Sequence, residues 1–230
     1  MFRKKNNYQK YLKKECPDFV RQYVECFQNS HTENSLYDCR FVVFDTETTG
    51  LDIRQDKVIS VGAIALENLE ICVMDSLELF IERDRTGDKN SVVIHQILAK
   101  ETRGGYQEVQ ALEMFLDFIR NSVLVAHCAN FDIQMISAIL KKHFGFPLLN
   151  RYIDTIELAR RIDVGKMAYA YEMTRPQDYS LDGLCKRYQI PINGRHTAAG
   201  DAMATARLLQ VLLFKALHKK ITYVKEIAQG

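Results

Sequence analysis

The spacing of apolar and polar positions divides the chain near residue 39. Before that point Tyr8, Tyr11, Leu12, Cys16, Phe19, Val20, Tyr23, Val24 and Phe27 recur at spacings of three and four, the stripe of an amphipathic helix. Pro17 interrupts the stripe and suits the first turn of a second helix. Residues 6–29 are therefore predicted to form two short helices, with the polar stretch from Asn29 to Ser35 as a linker. After Cys39 the grammar changes. Phe41, Val42, Val43 and Phe44 form a continuous apolar run, which predicts a central strand buried on both faces. Residues 57–66 and 71–82 predict two further strands joined by a turn over 67–70. Helical periodicity over 107–120 is followed by a fourth strand at 123–127 and a helix over 132–144. A short fifth strand at 152–154 leads into a helix over 155–162, and 180–189 and 198–218 are predicted helices. Three strands, a helix, a strand, a helix, a strand and more helices describe an α/β domain with a mixed sheet.

Composition sharpens this only in places. The 230 residues are 47% hydrophobic and 26% charged, enough to bury a core and unlike a disordered chain. Lys and Arg (31) nearly cancel Asp and Glu (29), for a net charge of +2. That argues against a uniformly basic nucleic-acid coat and leaves room for a local basic groove. No apolar run is long enough to span a membrane, and the basic start is not followed by an apolar stretch, so neither a membrane span nor a secretory signal is expected. Six cysteines without a C-x-x-C pair, mostly inside apolar runs, are expected to be reduced thiols of a cytoplasmic protein with no zinc site. Arg3, Lys4, Lys5, Lys10, Lys13 and Lys14 at one end, and Lys215, Lys219, Lys220 and Lys225 at the other, form either two solvated termini or a basic path for a nucleic-acid strand.

The candidate chemistry lies where acids interrupt apolar elements. Asp45 and Glu47 follow the first strand at a spacing of two, so both side chains point to one face of the sheet. Facing acids repel, and a metal ion would reverse the sign of that interaction; the plain alternative is a solvated strand end. Asp132 falls just past the fourth strand, where it is either a ligand or a helix N-terminal residue favoured by the macrodipole. His196 and Asp201 are five residues apart, about 500° of rotation on one helix, so they converge only if His196 sits on the loop ahead of it. Gly194 and Gly200 permit such a loop, and Ala198, Ala199, Ala202 and Ala206 permit close helix–sheet packing. Four carboxylates carry about −4, which two divalent cations would neutralise; hard Mg²⁺ or Mn²⁺ suits such oxygens.

FDTETTG at 44–50, AHCANFD at 126–132 and HTAAGDA at 196–202 resemble, in order and spacing, the three motifs of the DnaQ-like 3′–5′ exonucleases. The histidine five residues before the last Asp marks the DEDDh branch, and the Thr-Glu-Thr-Thr-Gly form looks closer to the proofreading ε subunit of bacterial DNA polymerase III than to oligoribonuclease. The resemblance covers about residues 40–218 and implies an RNase H-like fold, a five-stranded mixed β-sheet flanked by α-helices. It divides the chain into an N-terminal helical extension (1–38), an exonuclease domain (39–220) and a C-terminal tail (221–230). It implies that Asp45, Glu47, Asp132 and Asp201 bind two divalent cations, Mg²⁺ or Mn²⁺, and that His196 is the general base. It implies that Thr48, Thr49, Gly50 and Leu51 hold the 3′-terminal nucleotide, with Leu51 wedged against a base. His95 and Ile97 would line the nucleotide pocket, and Phe131 would lie beside the substrate. Asp154 and Thr155 match in a structural role.

The implied activity is removal of nucleoside 5′-monophosphates from the 3′ end of single-stranded DNA, in proofreading or repair. The alternatives are trimming of RNA 3′ ends and, further off, a non-catalytic binding module. The N-terminal helices could dock on a polymerase or a second copy. Two positions depart from the family pattern: Cys128 replaces the usual Asn, and Gln96 replaces a small Gly.

Overall fold

The computed structural model describes residues 8–12, 15–28, 34–82, 104–164 and 176–229. Five strands form one sheet: β1 (Phe41–Thr48), β2 (Val58–Glu67), β3 (Glu70–Phe80), β4 (Val123–Ala126) and β5 (Tyr152–Asp154), in the order β3-β2-β1-β4-β5. β3, β2 and β1 pair antiparallel, whereas β1, β4 and β5 run parallel. The helices among the described residues are α1 (Asp18–Glu25), α2 (Glu108–Ile119), α3 (Ala129–Phe144), α4 (Thr155–Val164), α5 (Leu181–Arg187) and α6 (Ala198–His218). This is the expected five-stranded mixed sheet flanked by helices.

Period-two alternation along β1 explains why one strand serves two cores. Val42 and Phe44 face a layer built with Leu112 and Phe115 of α2 and Ile136 and Leu140 of α3. Phe41 and Val43 face the other layer, with Leu158 of α4, Leu184 of α5 and Leu208, Leu209 and Leu212 of α6. All four strand residues are fully buried, as a central strand requires.

The N-terminal extension shares the first of these cores. Its first predicted helix is a 3₁₀ turn over Tyr8–Tyr11, and its second is α1, with Pro17 at the N-cap. Val20, Tyr23, Val24 and Phe27 are buried in the same cluster as α2 and the sheet. The Tyr23 hydroxyl donates to Asn150 Oδ1 at 2.6 Å and accepts the Leu149 amide at 2.9 Å, so the apolar stripe is locked to the domain by a buried polar link. At the other end the chain returns to the sheet after α6. Gln229 and Tyr152 exchange backbone hydrogen bonds at 2.9 and 2.7 Å, which covers part of the open edge of β5.

Boundaries differ from the sequence expectation at two places that matter for function. β1 runs on through Thr48 rather than ending at Phe44, so Asp45 and Glu47 lie within the strand, paired to Gly62 and Ser60 of β2. α3 starts at Ala129, not Asp132, because the Ala129 amide donates to Asp154 Oδ2 at 3.0 Å and gives the helix an earlier start.

Gly62 sets where α6 can sit. A Cβ there would stand 2.3 Å from both the Ala198 carbonyl carbon and the Ala199 nitrogen. Gly62 is also the register partner of Asp45. The absence of one side chain on β2 thus lets the start of α6 lie on the sheet beside Asp45. Gly62→Ala meets backbone that cannot swing aside. It should destabilise by about 1–3 kcal/mol, the usual cost of overpacking, read as a lower midpoint in urea denaturation. An unchanged midpoint would mean that α6 has room to shift.

Candidate active site

Asp45 and Glu47 project from one face of β1, and Asp201 reaches them from the first turn of α6. One oxygen from each lies within 4.8 Å of the others. His196 occupies the loop just ahead of the helix, as the five-residue spacing requires. Its φ of 63° is left-handed, an uncommon conformation for a non-glycine residue. The loop is knitted locally. Thr197 caps α6 by accepting the Gly200 amide at 3.1 Å, and its hydroxyl donates to the Gly194 carbonyl at 2.7 Å. Gly194 supplies a φ of 69°, and a Cβ on Gly200 would lie 1.9 Å from the Gly194 oxygen. Both glycines are therefore needed to fold His196 back over the helix start.

Asp132 is buried at the side of this trio and outside its converging oxygens. Its Oδ1 accepts the Thr46 amide at 3.0 Å and the Thr46 hydroxyl at 2.6 Å. Thr46, between the two acids of β1, was missed at the sequence level. Its signal is a hydroxyl residue that follows Val42 and Phe44 at period two, on the strand face opposite the two acids.

Burial and mutual repulsion raise the proton affinity of the cluster. Burial first, and then the charges of Asp132, Asp201 and Glu47, push the Asp45 carboxyl up to about 9. Burial and Asp201 also raise Glu47, while His196 and Arg195 pull it back. Burial raises Asp132 against the two hydrogen bonds from Thr46. Asp201 Oδ1 is buried and has no hydrogen-bond partner among the described residues, a state that buried polar atoms normally avoid. Converging carboxylate oxygens, an orphaned oxygen and a carboxyl whose proton affinity is raised by burial and by its neighbours together fit a site for divalent cations. His127, in contrast, is lowered to about 4 by burial and is neutral at pH 7; its Nδ1 lies 2.9 Å from Thr155 Oγ1.

The segment after β1 forms a braced rim. Thr48 Oγ1 donates to the Gly50 carbonyl at 2.7 Å. Asp56 accepts the Thr49 hydroxyl at 2.7 Å and the Asp52 amide at 2.8 Å, closing the loop under Gly50. Leu51 is left 83% exposed on this fixed loop, an arrangement that presents an apolar side chain outward. Phe131, on the first turn of α3, is half-buried against the first core. His95 and Ile97, together with Gln96, lie outside the described residues.

Cys128 stands at the N-cap of α3 with φ 64° and ψ 43°, exposed, in the left-handed region. Asn tolerates that conformation better than Cys does. Cys128→Asn should stabilise the protein by about 0.5–1 kcal/mol through relieved strain, measured by chemical denaturation. Unchanged or reduced stability would show that Cys128 packs favourably enough to offset it.

The raised Asp45 carboxyl also has a stability consequence. Its folded pKa of about 9 lies above the ordinary 3.8, so the folded state holds a proton that the unfolded chain releases. That contribution is complete below about pH 4 and is lost as pH rises through 9. In chelator, the melting temperature should fall between pH 7 and 9, above the window of His127, and Asp45→Asn should flatten the slope. Saturating Mn²⁺ should remove the slope as well, because cation binding displaces the proton. Equal slopes in all three conditions would contradict the arrangement.

A cavity of about 740 Å³ opens at the opposite pole, lined by Arg40, Glu67, Asp75, Ser122 and Arg151 among others. Its central charge is already matched: Arg40 meets Asp75 at 2.7 Å, Glu67 at 3.2 Å and the Ser122 hydroxyl at 2.9 Å.

Comparison with known proteins agrees with this placement. Residues 42–209 match the family RNase_T, described as Exonuclease. The chain is 31% identical over 198 residues to the PolC-type DNA polymerase III of Thermotoga petrophila, and 34% identical over 196 residues to that of Caldanaerobacter subterraneus. These alignments cover 86% and 81% of this chain but only 13% and 12% of the polymerases. Among solved structures, Exonuclease X in complex with 5′-overhanging duplex DNA superposes with a TM-score of 0.55 at 21% identity, covering 76% of this chain and 92% of that one. Escherichia coli Exonuclease I in complex with a dT13 oligonucleotide gives 0.64 at 17% identity, covering 80% and 43%. At those identities the likeness speaks for the fold. The family match, which spans all three acidic motifs, speaks for descent: the chain belongs to the RNase_T exonuclease family of DnaQ-like 3′–5′ exonucleases.

Proposed function

We propose that the protein is a metal-dependent 3′–5′ exonuclease that removes nucleoside 5′-monophosphates from the 3′ end of single-stranded DNA. The observation that carries this reading is the convergence of one carboxylate oxygen each from Asp45, Glu47 and Asp201, with His196 on the adjoining loop. Two divalent cations, Mg²⁺ or Mn²⁺, when bound, would supply an activated water and neutralise charge on the departing 3′-oxygen. Asp45, Glu47 and Asp201 would hold them, with Asp132 at the side, steadied by Thr46.

His196 accepts the proton of the attacking water. Its exposed position lets that proton pass on to solvent. The rim of Thr48, Thr49 and Gly50 meets the terminal nucleotide through its backbone, and Leu51 stacks against the base without reading sequence. Phe131 lies beside the same strand end. The polymerase relatives support a role in DNA proofreading or repair, and a cytoplasmic location is part of the same proposal. A polymerase-type partner is also proposed. Because the chain's own α2 and sheet cover the apolar stripe of α1, such a partner would meet its outer, polar face.

The test is a panel of matched DNA and RNA single strands with Mg²⁺ or Mn²⁺, run beside Asp45→Asn and His196→Ala. The expected result is 5′-mononucleotide release that is faster from DNA and abolished in Asp45→Asn. His196→Ala should be slowed by roughly 10²–10⁴-fold, with Mn²⁺ binding retained. Preference for RNA would replace the DNA reading with 3′-end trimming of RNA. Undiminished turnover in His196→Ala would remove it as the base.

A further inference from the structure

Arg195, immediately before His196, has a place in the site that the motifs do not assign. Its guanidinium forks onto Asp182 of α5, with Nε to Oδ1 at 2.7 Å and Nη2 to Oδ2 at 3.3 Å. The remaining Nη1 forms an ion pair with Oδ2 of Asp201. Arg195 is 24% exposed and Asp201 11%, so this is not a loose surface pair, although Asp182 at 62% opens to solvent. Both neighbouring anions raise the guanidinium's affinity for its proton, and it stays charged at any working pH.

The geometry divides the two oxygens of Asp201. Oδ2 is taken by Arg195, while Oδ1 is buried with no partner among the described residues. A carboxylate gripped on one side by a planar, externally braced donor cannot rotate freely, so its other oxygen has a fixed direction. The backbone that carries Arg195 is fixed as well, by the left-handed Gly194 and His196 and by the Thr197 cap.

We propose that Arg195, braced by Asp182, is a positioning residue of the metal site: it orients Asp201 so that the free oxygen is presented to the divalent cation. This rests on the metal-dependent reading above. Arg195 also places a positive charge beside three acids.

The test is equilibrium binding of Mn²⁺ alone to the full chain, followed by paramagnetic resonance of the free ion, with no nucleic acid present. Wild type should bind and Asp45→Asn should not. Arg195→Met should raise the dissociation constant by about 10- to 100-fold, the usual effect of removing a group that holds a ligating side chain. Arg195→Lys should be weakened too, because an ammonium cannot make the fork and the third contact together. Asp182→Asn should shift binding in the same direction by less. Circular dichroism checks folding; if Arg195→Met is unfolded, Arg195→Lys and Asp182→Asn carry the test.

Wild-type affinity in the Arg195 variants would overturn the proposal and leave the metal reading standing. Tighter binding would also overturn it, by showing that Arg195 competes with the cation. Failure of wild type itself to bind Mn²⁺ would bring down both.

Discussion

Repulsion among Asp45, Glu47 and Asp201 is the constraint around which the rest of the molecule is built. Two like charges about 4 Å apart cost on the order of 4 kcal/mol at the effective dielectric of a partly exposed site. No local preference would assemble three. The force that does so is apolar: Leu208, Leu209, Leu212 and Leu213 of α6 are fully buried against the sheet, and each contributes about 1.5–3 kcal/mol. Four such side chains give about 6–12 kcal/mol, which offsets most of the roughly 12 kcal/mol that three such charge pairs would cost. The raised proton affinity of Asp45 and the Arg195 guanidinium beside Asp201 relieve the rest.

The same balance explains the glycine and alanine positions. A helix anchored by leucines along its length must also bring its first turn down onto β2, and any side chain at Gly62 would lift it. Ala198 and Ala202 keep that end of the helix thin, and both are buried. Leucines thus supply the energy of the contact, while small residues set its distance. Arg195 adds direction, since α6 fixes where Asp201 lies but not which way its carboxylate turns.

Much of this was legible in the sequence because it is local. The run Phe41 to Phe44 announced a doubly buried strand, and a spacing of two placed Asp45 and Glu47 on one face. The spacing of His196 and Asp201 required a loop and then a helix. What was not legible depends on partners distant in the chain. β1 continues past Phe44 because β2 keeps pairing with it as far as Val58, which the acids themselves do not suggest. α3 begins three residues early because Asp154, 25 positions away, accepts the Ala129 amide. The Arg195–Asp182 fork joins a loop to a separate helix, and neither residue sits in a periodic pattern that would single it out.

The place of Asp132 follows from an inequality of strand lengths. β4 has four residues and its ladder with β1 ends at Val43, whereas β1 runs on to Thr48. Beyond Val43 the edge of β1 that faces β4 has no strand partner, and a buried amide there must find another acceptor. The helix that follows β4 starts at that gap and delivers Asp132, whose Oδ1 takes both the amide and the hydroxyl of Thr46. The short strand therefore does two things at once: it opens the end of β1 so that an acid can approach, and it launches the helix that carries the acid. A longer β4 would satisfy the same amide with a carbonyl and leave Asp132 without its anchor beside the trio.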